Sequence, residues 1–148
     1  MLDPAKPDAL APRKRPFHTI IPAFMERGDE HIGFGIMGGA NQPLAHAQFV
    51  SNVVDYGMNL QAAMETARFT VSSNFGVCCK VLIEDRVPAD VRQQLTSMGH
   101  DLNVRGDFSL SMGRGQAIKH NSKTGMNFAA SDARTDGSAE PEIPRALQ

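Results

Sequence analysis

The best place for chemistry in this chain is a pair of glycines between a strand-like run and a helix-like run. In Ile32-Gly33-Phe34-Gly35-Ile36-Met37-Gly38-Gly39-Ala40-Asn41-Gln42-Pro43, bare backbone at Gly38 and Gly39 lets a ligand come close. The N–H groups of the turn, with the unpaired N–H groups of a helix start, can bind an anion or a developing oxyanion. A tight strand-to-helix connection is the commoner use of such a pair, so the motif alone leaves both readings open. It lacks the Lys-Ser/Thr ending of a phosphate loop and the three-glycine spacing of a dinucleotide site.

Other reactive side chains are scattered. Phe17-His18-Thr19-Ile20-Ile21-Pro22 sets an acid/base group beside a hydroxyl, but neighbours on a regular strand face opposite ways, so the two cannot act as a base and nucleophile pair there. His46 falls inside a helical pattern, where a hydrogen-bonded structural histidine is the expected role. Ser131-Asp132-Ala133-Arg134-Thr135-Asp136-Gly137 packs two carboxylates round an arginine. Asp132 or Asp136 could position a substrate ammonium, but the residue types favour a turn whose acids hold Arg134 in an ion pair. His18, His31, His46, His100 and His120 stand in no paired Cys/His spacing, so no metal site and no cofactor is expected. Cys78 and Cys79, adjacent in a strand-like run, read as structural thiols because a bridge between neighbours is strained.

These groups need a frame, and the hydrophobic pattern supplies an α+β one. Four prolines in residues 1–16 predict an extended arm. A strand over 17–25, a polar turn at 26–30 and a period-two strand at Ile32, Phe34 and Ile36 predict an antiparallel hairpin. Ala47, Val50, Val53 and Val54 recur at helical spacing after Pro43. Asn59 can cap a second helix reaching about Arg68, with Leu60, Ala63, Met64 and Ala67 inward. Short strands are expected at 69–73 and 77–83. A helix follows at 88–98 with Val91, Leu95 and Met98 inward, then an exposed strand at Leu102 and Val104. A last hairpin joins 116–120 to 126–130, and the polar tail spans 140–148. Hairpins are expected in preference to crossovers.

Composition narrows the class. The chain has 148 residues, 41% of them hydrophobic, enough for one core. Fifteen basic against 16 acidic residues leave no field for nucleic acid or an anionic membrane. Arg13-Lys14-Arg15 between prolines reads as a solvated linker. No run approaches the roughly 18 apolar residues of a membrane helix, and the N-terminus has no signal-peptide pattern, which reads as cytoplasmic for the chain as written.

Four stretches in order carry a resemblance: Lys14-Arg15-Pro16-Phe17-His18-Thr19-Ile20-Ile21-Pro22, then Met37-Gly38-Gly39, then Asp55 to Ala63 with Ala67-Arg68-Phe69, and Ala130 to Ala139. Together they resemble the closing part of the small catalytic subunit of γ-glutamyltransferases (γ-glutamyltranspeptidases) and their acylase-like relatives, over about residues 9–139. The resemblance implies an N-terminal-nucleophile (Ntn) hydrolase, whose precursor cuts itself to free a threonine that attacks a γ-glutamyl or related acyl amide such as glutathione. It implies an αββα sandwich with mainly antiparallel sheets, of which 17–139 would supply part. It places Gly38 and Gly39 at the oxyanion hole. It sets His18 and Thr19 in the acyl pocket, where many members carry a serine pair for the glutamyl carboxylate.

No nucleophile is expected in this chain, because the family threonine belongs upstream. The implied partner is therefore the rest of the enzyme, its large subunit and the N-terminal part of the small one, with a small acyl amide as substrate. A chain of this kind should be inactive alone, and a longer precursor could be periplasmic. The rival expectation is a stand-alone binding or scaffold protein, or a truncated product, with the same partial fold.

Overall fold

A computed structural model of the chain describes residues 3–7, 9–15, 18–71 and 80–141. It is an α+β structure with two sheets. Strands β1 (Ala23–Arg27) and β2 (Glu30–Met37) form the expected hairpin through Gly28, whose φ of 58° suits glycine. The sheet is completed by β6 (Arg114–Asn121) and β7 (Asn127–Ser131), in the order β1-β2-β6-β7, antiparallel throughout. The smaller sheet holds β3 (Phe69–Val71), β4 (Lys80–Glu84) and β5 (Asp101–Arg105).

Period-two alternation in β2 turns Ile32, Phe34 and Ile36 to one face. Helices α1 (Gln42–Val54) and α2 (Leu60–Glu65) cover that face. Ala45, Phe49, Leu60, Ala63 and Met64 meet the strand residues with Ala117 and Ala130 in one core. Phe49 is 1% exposed and lies against Phe34, ring centroids 4.8 Å apart. The Asn59 side chain caps α2 by accepting from the Ala62 N–H at 2.9 Å. On the other face of the sheet, Phe24, Met37 and Ile118 are exposed.

Several expectations are corrected. The first strand begins at Ala23, not near 17; residues 18–22 form no ladder, and Phe17 lies outside the described residues. Continuing the β1–β2 register would set Pro22 opposite Gly35, and proline has no N–H to donate. The second helix stops at Glu65, short of Arg68, because Thr66 adopts ψ 142° and sends the chain inward. α3 (Ala89–Ser97) buries no residue, leaving Val91 exposed and Met98 74% exposed; its main packing among the described residues is against β5 of the small sheet. That helix also joins β4 to β5 as a parallel crossover, where hairpins were expected. Short turns interrupt the proline-rich arm, with Lys6 N–H bonded to Asp3 O and Ala9 N–H to Lys6 O. The expected strand start at 77–79, with both cysteines, and the tail from 142 lie outside the described residues.

Candidate active site

The glycine pair sits where β2 hands over to α1. Met37 ends the strand, Gly38 takes φ 156° and Gly39 takes φ 59°. A 3-10 turn at Gly39–Asn41 then leads into α1, which has a proline in its first turn. Gly39 lies in the left-handed region, which a side chain disfavours by roughly 1–2 kcal/mol. A Cβ at Gly38 would stand 3.3 Å from the Gly113 Cα. Among the described residues, neither the Gly38 nor the Gly39 N–H has a hydrogen-bond acceptor. Two adjacent donors without a partner thus stand at the 3-10 turn that precedes α1, a geometry that can accept an anion.

Two side chains of α1 fix this turn. His46 accepts the Ile36 N–H on its Nε2 at 2.9 Å, just where β1 offers no partner, and its ring meets Phe34 edge-on. Burial holds the His46 pKa below the ordinary imidazole value. The accepting Nε2 is unprotonated, so this is the expected structural histidine. Gln42 donates its Nε2 to Thr19 O at 2.8 Å and to Gly39 O at 3.2 Å. That fork ties the 18–22 segment to the glycine turn.

A groove of about 630 Å³ runs along this junction. Thr19 to Pro22 form one wall; Met37, Gly38, Gly39 and Gln42 with Arg114 and Gln116 form the rest. Thr19 and the glycine pair therefore share one site. His18 is exposed and is not among the lining residues. Arg114, Gln116 and Gln42 were not singled out from sequence. The first two arrive through the β2–β6 register, which pairs Met37 with Arg114 and Gly35 with Gln116 across 77 or more residues of chain.

Asp132 is no substrate ligand. It is 1% exposed, and its oxygens accept from Arg68 Nη1 at 2.7 Å, Gly115 N–H at 3.0 Å, Arg134 N–H at 3.0 Å and Arg134 Nη1 at 2.9 Å. Arg134 in turn grips Glu84 with Nε at 2.8 Å and Nη2 at 2.6 Å. Burial pushes the Glu84 carboxyl up, but Arg134, the Arg68 N–H and Arg86 together outweigh it and hold the group below its ordinary value. The expected ion pair around Arg134 is thus present, and it extends to Arg68 and Glu84 in a buried network. Asp136 remains exposed at the surface. The network backs the site: Arg68 also points at Gly113 O at 3.4 Å, and Gly113 lies against Gly38.

Comparisons with known proteins bear on the family and the fold. The family model for gamma-glutamyltranspeptidase matches residues 1–142. The glutathione hydrolase-like YwrD proenzyme of Bacillus subtilis is 34% identical over 140 residues, 93% of this chain and 26% of that protein. The oxamate amidohydrolase proenzyme of Klebsiella pneumoniae gives the same figures. A crystal structure of cephalosporin acylase from Bacillus halodurans superposes with a TM-score of 0.72 at 39% identity, covering 93% of this chain and 25% of that one. The chain spans about a quarter of the length of these relatives. No helix among the described residues is long and apolar enough to cross a membrane. With the family model matching residues 1–142 of its 148, the chain belongs to the gamma-glutamyltranspeptidase family.

Proposed function

We propose that this chain supplies the oxyanion half of an Ntn acyl-amide hydrolase or transferase and is inactive alone. The observation that carries the reading is the free N–H pair of Gly38 and Gly39 at the rim of a groove. In the proposed reaction a threonine from the upstream part of the enzyme adds to the amide carbonyl, with its own α-amine taking the hydroxyl proton. The carbonyl oxygen becomes an oxyanion and accepts from Gly38 and Gly39. The amine leaves with that proton, and the acyl-enzyme passes its acyl group to water or to an acceptor amine. Thr19 lines the acyl side, and His18 borders it in the chain.

The same reading gives the uncovered sheet face an occupant. Phe24, Met37 and Ile118 stand exposed there, and relatives named as proenzymes are about four times as long. The upstream part would cover this face and bring the nucleophile over the groove. The test is to produce the chain together with the natural upstream segment and assay γ-glutamyl, oxamyl and simple acyl amides. Cleavage that the chain alone lacks, and that G39A lowers by about 10²-fold or more, is the expected result. A folded assembly that cuts none of these amides would refute the proposal. Activity in the isolated chain would refute its dependence on a partner.

A further inference from the structure

At the end of the larger sheet away from the glycine turn, strand register sets four polar side chains in one row. Glu26 of β1 stands opposite His31 of β2, His31 opposite His120 of β6, and His120 opposite Asn127 of β7. These positions alternate with the packed ones, so the row lies on the uncovered face. His120 Nδ1 meets Asn127 Oδ1 at 2.8 Å, and because that oxygen only accepts, Nδ1 carries the proton. His31 Nδ1 faces Glu26 Oε2 at 3.4 Å. The outer strands thus draw the two Nδ1 atoms apart, one toward each edge of the sheet. In an imidazole Nε2 lies across the ring from Nδ1, so each Nε2 turns back toward the other ring. Among the described residues neither Nε2 has a hydrogen-bond partner, and the two ring centroids are 6.4 Å apart.

We propose that His31 and His120 bind one transition-metal dication of the zinc class between their Nε2 atoms and so pin β2 to β6. A zinc–nitrogen bond of about 2.0–2.1 Å, with about 1.1 Å from each Nε2 to its ring centre, lets an ion bridge rings up to roughly 6.3 Å apart. The observed spacing is at that limit, and a small turn of the exposed His120 ring closes it to a bent geometry. Glu26 and Asn127 stand where metal-binding histidines keep the partners that fix tautomer and ring direction. No cluster of three or more His, Cys, Asp or Glu converges on an ion among the described residues, so the remaining coordination positions are left to water. Imidazole ligands select Zn2+, Ni2+ or Cu2+ over Mg2+ and Ca2+. His31 and Met37 stand at opposite ends of β2, about 20 Å apart along the strand. The ion is therefore structural, and the site is independent of the oxyanion reading. Spacing along the sequence does not reveal such a pair, because only strand register brings its members together.

Titration of the chain with Zn2+ tests this, with heats measured by calorimetry and the histidine ring nitrogens followed by NMR. One ion should bind per chain, and the Nε2 resonances of His31 and His120 should move together while those of His46 stay in place. H31Q and H120Q should each weaken binding at least tenfold. E26Q, which removes only an orienting partner, should weaken it less than either. Zn2+ should also raise the melting temperature of the chain, and Mg2+ at the same concentration should not. That rise should vanish in H31Q and H120Q, whose metal-free melting stays near that of the unaltered chain because both rings reach solvent. Absence of binding, or binding that survives H31Q or H120Q, would overturn the site. So would an adventitious ion that moves only the His18 or His100 ring. The ring shifts of the unaltered chain decide even where a variant fails to fold: movement of one Nε2 without the other refutes the pair.

Discussion

Replacing Asp132 with Asn should be among the most damaging isosteric changes in the chain. The side chain keeps its volume, so packing is not the issue. Two carboxylates, Asp132 and Glu84, and two guanidiniums, Arg68 and Arg134, are enclosed with side-chain exposures of 0–3%. Removing one negative charge leaves a net positive charge in a dry site and turns an amide NH2 toward groups that donate. Breaking one side of a buried pair costs about 3–5 kcal/mol. Against a domain stability of roughly 5–15 kcal/mol, that is at least about a fifth of the total. Urea unfolding followed by circular dichroism measures it, best with R68M and the double variant R68M/D132N. The double variant should lose less than the sum of the singles, by more than about 1 kcal/mol, because it removes a positive and a negative group together. A D132N cost below about 1 kcal/mol, or simple additivity, would refute the idea that this network acts as one unit. A second readout concerns the strand beside the site. Gly115 N–H donates to Asp132, so amide exchange at Gly115 should quicken in D132N at temperatures where the fold is intact.

Phe49→Ala empties the centre of the larger core and should cost about 3–5 kcal/mol in the same unfolding assay. His46 makes stability depend on pH. Its folded pKa lies below the ordinary value of 6.5, so the unfolded chain takes up the proton first. Its contribution is complete above about pH 6.5 and is lost as pH falls through the folded pKa. Melting temperature measured from pH 8 to pH 5 should drop in this window, and the drop should shrink in H46Q. Gln42→Ala removes the fork that holds Thr19 to Gly39 and should cost about 0.5–1.5 kcal/mol. It should also raise amide exchange at Asn41, whose N–H donates to Gly38 O, without disturbing β6 and β7.

The elements of the larger sheet were legible where local pattern and tertiary burial agree. Ile32, Phe34 and Ile36 alternate because one face of β2 is packed and the other is not. Asn59 announces its helix because it caps it. Pattern failed where a long-range partner decides. Thr66 and Arg68 look like a continuing helix, yet Arg68 must turn inward to reach Asp132, 64 residues away. Val91 and Met98 carry an apolar signal but meet no second layer. The candidate site divides in the same way. Gly38 and Gly39 could be found from sequence because glycine at a strand-to-helix junction is a local statement. Arg114 and Gln116 could not, since they reach the groove only through strand register.

On the proposed reading, the same geometry explains why an acyl-transfer site would be built at this edge of the sheet. The groups around the glycine turn are each held by a neighbour. Ile36 is locked to His46, Gly39 to Gln42, and the Gly113 turn to Arg68 and Asp132. The Arg68 contacts are buried and the His46 contact partly so, while the Gln42 contact is exposed. Among the described residues, the Gly38 and Gly39 N–H groups and the Arg114 guanidinium are left without partners, and all three residues line the groove. A buried ion network is a poor source of stability because desolvating its charges cancels much of the attraction. Its contacts are positional: Arg68 donates to Gly113 O, Gly115 N–H donates to Asp132, and Gly115 pairs with Ile36 of β2. On the proposed reading, loosening the network without unfolding the chain should lower acyl-amide cleavage by the enzyme joined to its upstream segment, because Gly113 lies against Gly38. Comparing kcat for R68K with that of the unaltered enzyme, at a temperature well below its melting point, would show this. An unchanged kcat would confine the network to stability.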